Sequence, residues 1–389
     1  MVRLRKVQPG QLIVGDRVPL NIYTRNRVLL LSRGSLVESQ QQTESLLMMG
    51  YYDPSEKEIC RDGTAPDFQG QGYTSEVNPF LELEAFYQNL LNITKGLSEG
   101  RKPSAVESTV SRIAKELLFL ARKAPNALLG AAHWPKDLPS VSLMNSLRCA
   151  VVIAVVAQKL KLDNELAEAT VSAALTANIS VLELQEKLIS QQAPLDSIQK
   201  SRIFAHPEKS VFLLQSLGVT NELWLEAVMQ HHERLDGSGY PKKLQGEAIG
   251  TAARLIALAD SYTAMTAWRE YRPLLTPRQA MREMLGEEQG LLDKKLGQVF
   301  LNQLGIYPPG SLVSLANGDL AVVIERGVRI NEPVCAAIRS AGGQSYVPPP
   351  RRDSSNPDYA IQKMLNQAML KKLQPFLFWD IKVNQKINS

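Results

Sequence analysis

Residues 231–241 read HHERLDGSGYP. Two adjacent histidines, half of the four in the chain, stand before an acidic, glycine-rich turn closed by proline. The preceding stretch, NELWLEAVMQHH, has helical spacing, with Leu223, Ala227 and Val228 on one face. Four residues beyond Ala227 and Val228 come His231 and His232, so both imidazoles continue that apolar face near the end of the helix. An inward imidazole needs a partner for each ring nitrogen. A lone one is commonly a satisfied core histidine, whereas two in succession at a glycine turn point as readily to metal ligation. In the turn, Gly237 and Gly239 accept positive φ without penalty and Pro241 fixes the exit. Asp236 to Pro241 either lets backbone approach a ligand or makes a tight interhelical loop. An exposed Tyr240 offers a ring to a base or a partner.

Downstream, TAARLIALADSYTAMTAW places Ala253, Ile256, Ala257, Asp260 and Ala264 on one helical face. Asp260 therefore falls within an apolar stripe, where a carboxylate is costly unless a cation, a metal or several donors meet it. It is either paired with an arginine such as Arg254 or functional. Beyond it, Arg269 and Arg272 are candidate phosphate donors, or solvated surface residues. Upstream, His206 precedes Pro207, and proline favours the first helical turn, so His206 is expected at a helix N-terminus. His133 is expected in a loop between helices, with no acidic or histidine neighbour to suggest a site.

The 389 residues are 44% hydrophobic and 21% charged, with a net charge of +5. That is the balance of a globular protein of two or three domains, and it carries no basic stripe for DNA or RNA. Cys60, Cys149 and Cys335 are odd in number and form no CxxC pair, which argues against a disulfide framework and a zinc ribbon and fits free thiols in a reducing cytoplasm. The first residues carry charge without an apolar run behind them, so no secretion signal is read. The longest apolar run, CAVVIAVVA, is far short of the roughly 20 residues of a membrane span and reads as a helix buried on all sides.

Periodicity divides the chain. Residues 1–55 read as a small β-rich unit with a short helix in QQTESLLMMG, and 56–79 as a linker. Residues 80–304 carry apolar positions three and four apart and read as an all-α domain. Residues 305–389 begin with an Asn317-Gly318 hairpin, pass through a proline-rich loop, and end in a helix over YAIQKMLNQAMLKKL and an aromatic tail.

HHERLDGSGYP, followed by AARLIALADSYTAMT and REYR and preceded by HPEKS, resembles the signature region of the HD-GYP family of bacterial cyclic-di-GMP phosphodiesterases. The likeness covers roughly residues 120–310. It implies a mainly α fold: an HD-type helical bundle with a small N-terminal β unit and a C-terminal β-hairpin plus helix. It also implies two or three metals, often iron or manganese, bridged by an aspartate. His206, His231, His232 and Asp260 match metal positions. Asp236, Gly237, Gly239, Tyr240, Pro241, Arg269 and Arg272 match ligand- or partner-binding positions. Elsewhere the chain departs from the pattern. Asn145 stands where the family has a histidine, and Ala177 and Asn178 stand where it has the His-Asp pair. Val181 replaces a lysine. Two-metal hydrolysis needs cations roughly 3.5–4 Å apart. Three imidazoles and one carboxylate suit one divalent transition metal (Fe, Mn or Zn) or none. The expectation is a degenerate cytoplasmic signalling module that binds cyclic-di-GMP or a GGDEF-type protein. The alternatives are a mononuclear phosphodiesterase and a regulatory protein that binds no nucleotide.

Overall fold

The computed structural model describes residues 4–7, 21–23, 29–31, 37, 46–47, 51–52, 78–134, 138–266, 275–286, 291–346, 348–373 and 375–379. Arg269, Arg272, Cys60 and most of the expected linker lie outside these residues. At the N-terminus, β1 (Arg5–Lys6), β2 (Ile22–Tyr23), β3 (Leu29–Leu31) and β4 (Tyr51–Tyr52) form an antiparallel sheet in the order β1-β4-β2-β3. Val7, Ile22, Val37 and Leu46 are buried together beside it. Of the short helix expected in QQTESLLMMG, only residues 46–47 are described, and they are helical.

Among the described residues, eleven α-helices follow: α1 (Pro79–Ser98), α2 (Val106–Lys123), α3 (Pro125–His133), α4 (Val141–Leu160), α5 (Asn164–Thr176), α6 (Leu182–Ile189), α7 (Ser197–Ser216), α8 (Glu222–Gln230), α9 (Thr251–Thr266), α10 (Pro277–Leu285) and α11 (Lys294–Leu304). Their starts are written in the sequence. Asp163 accepts from Leu166 N at 2.8 Å, Asn221 from Trp224 N at 2.9 Å, and Asp196 with Gln199 forms a capping box. Each satisfies an otherwise orphaned N–H of a first turn. α4 is the hub, packed against α2, α3, α5, α9 and α11. Every residue from Cys149 to Ala157 is buried, as expected of a helix covered on all sides. Burying a single Val or Ile side chain contributes about 1.5–3 kcal/mol, so this run anchors the bundle. By length and composition α4 could cross a membrane, but most of it is buried among the other helices.

Among the described residues of the C-terminal region, β5 (Leu312–Leu315), β6 (Leu320–Glu325), β7 (Val334–Arg339), β8 (Arg351–Asp353) and β9 (Ile361–Met364) form an antiparallel sheet in the order β8-β7-β6-β5-β9. Alternate residues of β6 serve different cores. Val322 and Ile324 join the helical core, and Ala321 and Val323 join a second cluster with Val313 and Cys335. The helix expected over residues 359–373 is replaced. Ile361–Met364 pairs with β5, and only Gln367–Lys372 turns, as a 3-10 helix. The open edge of β5 offers these residues hydrogen-bond partners that outweigh a weak helical propensity. In the aromatic tail, Trp379 donates Nε1–H to the Ile324 carbonyl at 2.8 Å and packs beside Phe80 and Trp134. A Cβ on Gly130 would come within 2.4 Å of the Trp379 ring, so only glycine admits this contact.

Candidate metal centre and adjoining cavity

Two elements bring the histidines together. His206 comes from α7, and His231 and His232 follow the last residue of α8. Their ring nitrogens lie within 4.8 Å of one another. His206 is not at a helix N-terminus, because Pro207 lies inside α7. The proline has no N–H for the Ile203 carbonyl four residues back. His206 Nδ1 takes that carbonyl instead, at 2.5 Å. The end of α8 likewise leaves the Val228 carbonyl without an intrahelical partner. His231 Nδ1 takes it at 2.6 Å.

Those two contacts fix the tautomers. A carbonyl only accepts, so each Nδ1 bears the proton and each neutral ring leaves Nε2 with a lone pair. The two Nε2 atoms face each other at 3.1 Å. Burial first, with the neighbouring His231 second, pushes His206 down to about 4. Burial also pushes His231 down to about 4, against its bond to the Val228 carbonyl. Burial and the other two histidines push His232 well down. All three rings are therefore neutral near pH 7, the form that ligates. Two facing lone pairs at this distance repel unless a cation lies between them, so the trio fits a divalent transition metal. Imidazole suits zinc and iron in particular.

The opposite wall is closed by hydrogen bonds. Asn178, buried in the turn after α5, donates Nδ2–H to Asp260 Oδ1 of α9 at 3.4 Å. Asp260 faces the same cavity as His206 and His232 but stands outside the histidine trio. Arg254, the alternative partner, contacts Asp293 and Glu247. Asn145 accepts from Arg148 Nη1 at 3.1 Å. Ala177 and Val181 are buried and offer no ligand atom. Ser180 donates to the His206 carbonyl at 3.1 Å and shares a hydrogen bond with Ser210 at 2.9 Å, tying this turn to α7.

The HHERLDGSGYP turn folds back on the trio. Tyr240 is not an exposed ring. It is half-buried and stacks on His232, with centroids 4.8 Å apart and planes at 22°, and the exposed Phe204 packs against it in a T-shaped contact at 4.7 Å. Asp236 accepts from the Ser238 backbone N–H and hydroxyl, at 2.9 and 2.7 Å, and stays at the surface. These donors hold its carboxyl below the usual range. Gly237 has φ +81°, and a Cβ on Gly239 would lie 2.4 Å from Arg234 N. The Tyr240–Pro241 peptide is cis. Sequence reasoning passed over Glu233. It is 3% exposed and accepts from the backbone N–H groups of Lys242 and Leu244, at 2.6 and 3.0 Å, stitching the far side of the turn to the helix end. Its acidic character next to two inward histidines was the available signal. On α8 itself Trp224, not Leu223, is the buried residue, and its Nε1–H is satisfied by Thr176 Oγ1 at 2.8 Å.

Between the two walls lies a cavity of about 490 Å³. Asn145, Asn178 and Val181 line it from one side, and His206, His232 and Tyr240 from the other. No Lys or Arg lines it among the described residues. Such a site can hold one metal at its rim and a small molecule within it. Among the described residues, no second group of His, Cys, Asp or Glu offers another metal position.

Comparison with known proteins shows what the chain is similar to. The HD domain family matches residues 136–296. A cyclic di-GMP phosphodiesterase of Pseudomonas aeruginosa is 30% identical over 230 residues, which is 59% of this chain and 55% of that protein. A 3'3'-cGAMP-specific phosphodiesterase of Vibrio cholerae is 32% identical over 167 residues, 43% of this chain and 38% of that one. The chain thus spans about half the length, or less, of these curated relatives. A solved HDG"Y"P protein of Bdellovibrio bacteriovorus aligns over 76% of this chain and 97% of its own, with 14% identity and a TM-score of 0.47. Residues 136–296 thus match the HD domain family, and the chain is similar to proteins of the HD-GYP family, with the GYP turn kept and the HD pair replaced.

Proposed function

We propose that this protein is a cyclic-dinucleotide-binding module of the HD-GYP type that holds at most one metal and carries out little or no phosphodiester hydrolysis. The observation that carries the reading is the Asn178 amide bonded to Asp260 at 3.4 Å. A carboxylate there would bridge two cations. A neutral amide that donates a proton to the remaining carboxylate occupies the place of a cation instead. Without Asn178 as a bridge, and with no imidazole at 145 or 177, the cation pair that makes hydroxide and neutralises a phosphodiester is not assembled. Losing one such electrostatic element commonly costs about 10²–10³ in rate, and here several are gone together.

His206, His231 and His232 would hold the one metal, which when bound supplies a Lewis acid at the cavity rim. The dinucleotide is inferred from the activities of the similar phosphodiesterases. The turn exposed at Asp236 and Ser238 is the surface we assign to a GGDEF-type partner. A second reading, a mononuclear phosphodiesterase, is favoured by the intact histidine trio beside an open cavity.

One experiment separates the two. The protein is purified with manganese, iron or zinc supplied, its metal content is measured, and cyclic di-GMP is followed by calorimetry and chromatography. The expected result is one metal or fewer per chain, saturable binding and intact dinucleotide after prolonged incubation. Linear dinucleotide or GMP that disappears in a His231→Ala protein supports the mononuclear enzyme. Two metals per chain overturn both readings.

A further inference from the structure

We infer that the dismantled half of the metal site is a pocket for an uncharged purine base, read by side-chain amides. The inference rests on the reading that this cavity serves a guanine-containing dinucleotide, and it says which part of that ligand goes where.

Charge comes first. No Lys or Arg lines the cavity among the described residues, and the Asp260 carboxylate there repels a phosphate. Phosphate sites are built from Arg, Lys, metals or helix N-termini. This wall is built from carboxamides: Asn145, Asn178, Gln185 and Gln192, joined by the hydroxyls of Ser142 and Thr263. Each amide carries both donors and an acceptor.

Orientation comes second, because two of these amides are already aimed. Arg148 donates to Asn145 Oδ1 at 3.1 Å, which leaves the Asn145 NH₂ to donate. Asn178 spends an N–H on Asp260, which leaves its Oδ1 to accept. The pocket therefore presents a set donor and a set acceptor. Guanine has the complement on one edge, a carbonyl oxygen beside N–H donors. Asp260 adds acceptor capacity for those donors.

Shape comes third. A volume of about 490 Å³ lies within the range of small-molecule pockets, about 300–1,000 Å³. Tyr240, held by its stack on His232, supplies a fixed aromatic wall. A guanine seated here would leave its sugar and phosphate directed away from Asp260.

The test uses the metal-stripped full chain, titrated by calorimetry with guanosine, inorganic phosphate and cyclic di-GMP. Guanosine is expected to give saturable heat, and phosphate none. Gln185→Leu, on the half-buried face of α6, and Asn178→Leu are each expected to weaken guanosine about tenfold. Circular dichroism checks that both variants are folded. Guanosine that fails to bind the folded wild type, or phosphate that competes with it equally, overturns the proposal. If guanosine binds and cyclic di-GMP does not, the base pocket stands and the dinucleotide reading falls. If cyclic di-GMP binds and guanosine neither binds nor competes, the pocket falls and the dinucleotide reading stands.

Discussion

Asn178 and aspartate have nearly the same shape, and the difference lies in one proton-bearing nitrogen. That nitrogen sits 3.4 Å from Asp260 Oδ1 and contributes a hydrogen bond to a charged group. Asn178→Asp would set two carboxylates side by side, with a Coulomb penalty of about 4 kcal/mol at 4 Å and an effective dielectric of 20. Protonation of one carboxyl relieves part of it. In EDTA at pH 7 the variant is expected to melt roughly 4 °C or more below the wild type. Manganese should restore the loss and leave the chelated wild type without a comparable gain. A variant that melts with the wild type in EDTA would show that Asn178 does not hold the place of a cation. Hydrolysis is not expected to return, because Asn145 and Ala177 still lack imidazoles. The exchange at 178 was legible in the sequence, but its consequence was not, since nothing in a linear pattern pairs residue 178 with residue 260.

At the scale of elements, local patterns placed most helices and misplaced some of their contents. The proline rule put His206 at a helix start, yet α7 begins at the Asp196–Gln199 capping box and runs through Pro207. The structure tolerates the break because His206 Nδ1–H takes the carbonyl that the proline abandons. Pro207→Ala tests that account. The alanine N–H would compete for the Ile203 carbonyl and free His206 to change tautomer. An interior proline costs a helix about 3 kcal/mol, so the variant should melt no lower than the wild type. Its zinc affinity, measured against a chromophoric chelator, should nonetheless fall at least about tenfold, as when other orienting partners of metal-bound histidines are lost. Higher stability with unchanged zinc affinity would refute the link between proline and ligand. The turn after α8 depends in the same way on Glu233. Glu233→Gln turns one of two acceptors into a donor facing a backbone N–H, at a cost of about 1–3 kcal/mol. Urea unfolding should show that loss, and amide exchange should quicken at Lys242 and Leu244. Unchanged exchange at those two amides would mean the turn is held by something else.

The whole molecule shows why the bundle was readable and the site only half so. Long elements with an apolar stripe, such as α2 and α9, announce themselves by period alone. The ends of the chain do not. The strand at Ile361–Met364 exists because β5 leaves an edge to pair with, and Trp379 is buried because Gly130 leaves room for it. The same long-range enclosure acts on all four histidines, and this gives the protein a pH response larger than its histidine content suggests. His133, expected in a loop, is the last residue of α3, with Nδ1 on the Leu129 carbonyl at 2.8 Å, and burial holds it down at about 4. His206 and His231 are also held at about 4, and burial with the other two histidines pushes His232 well down from its usual value. The unfolded chain takes up protons on these rings near pH 6.5, while the folded chain does so only near pH 4 or below. Between those values the unfolded state binds more protons, so acidification favours unfolding. The stabilisation is complete above about pH 6.5 and is lost as pH falls toward 4, with a slope of up to about 1.4 kcal/mol per pH unit for each histidine. For the metal-free protein, urea midpoints measured from pH 6.5 to 5 should therefore fall steadily. His133→Asn, which leaves the metal trio untouched, should reduce the slope by one group's share. A flat profile across that window, or an equal slope in the variant, would show that these rings are not held neutral by the fold.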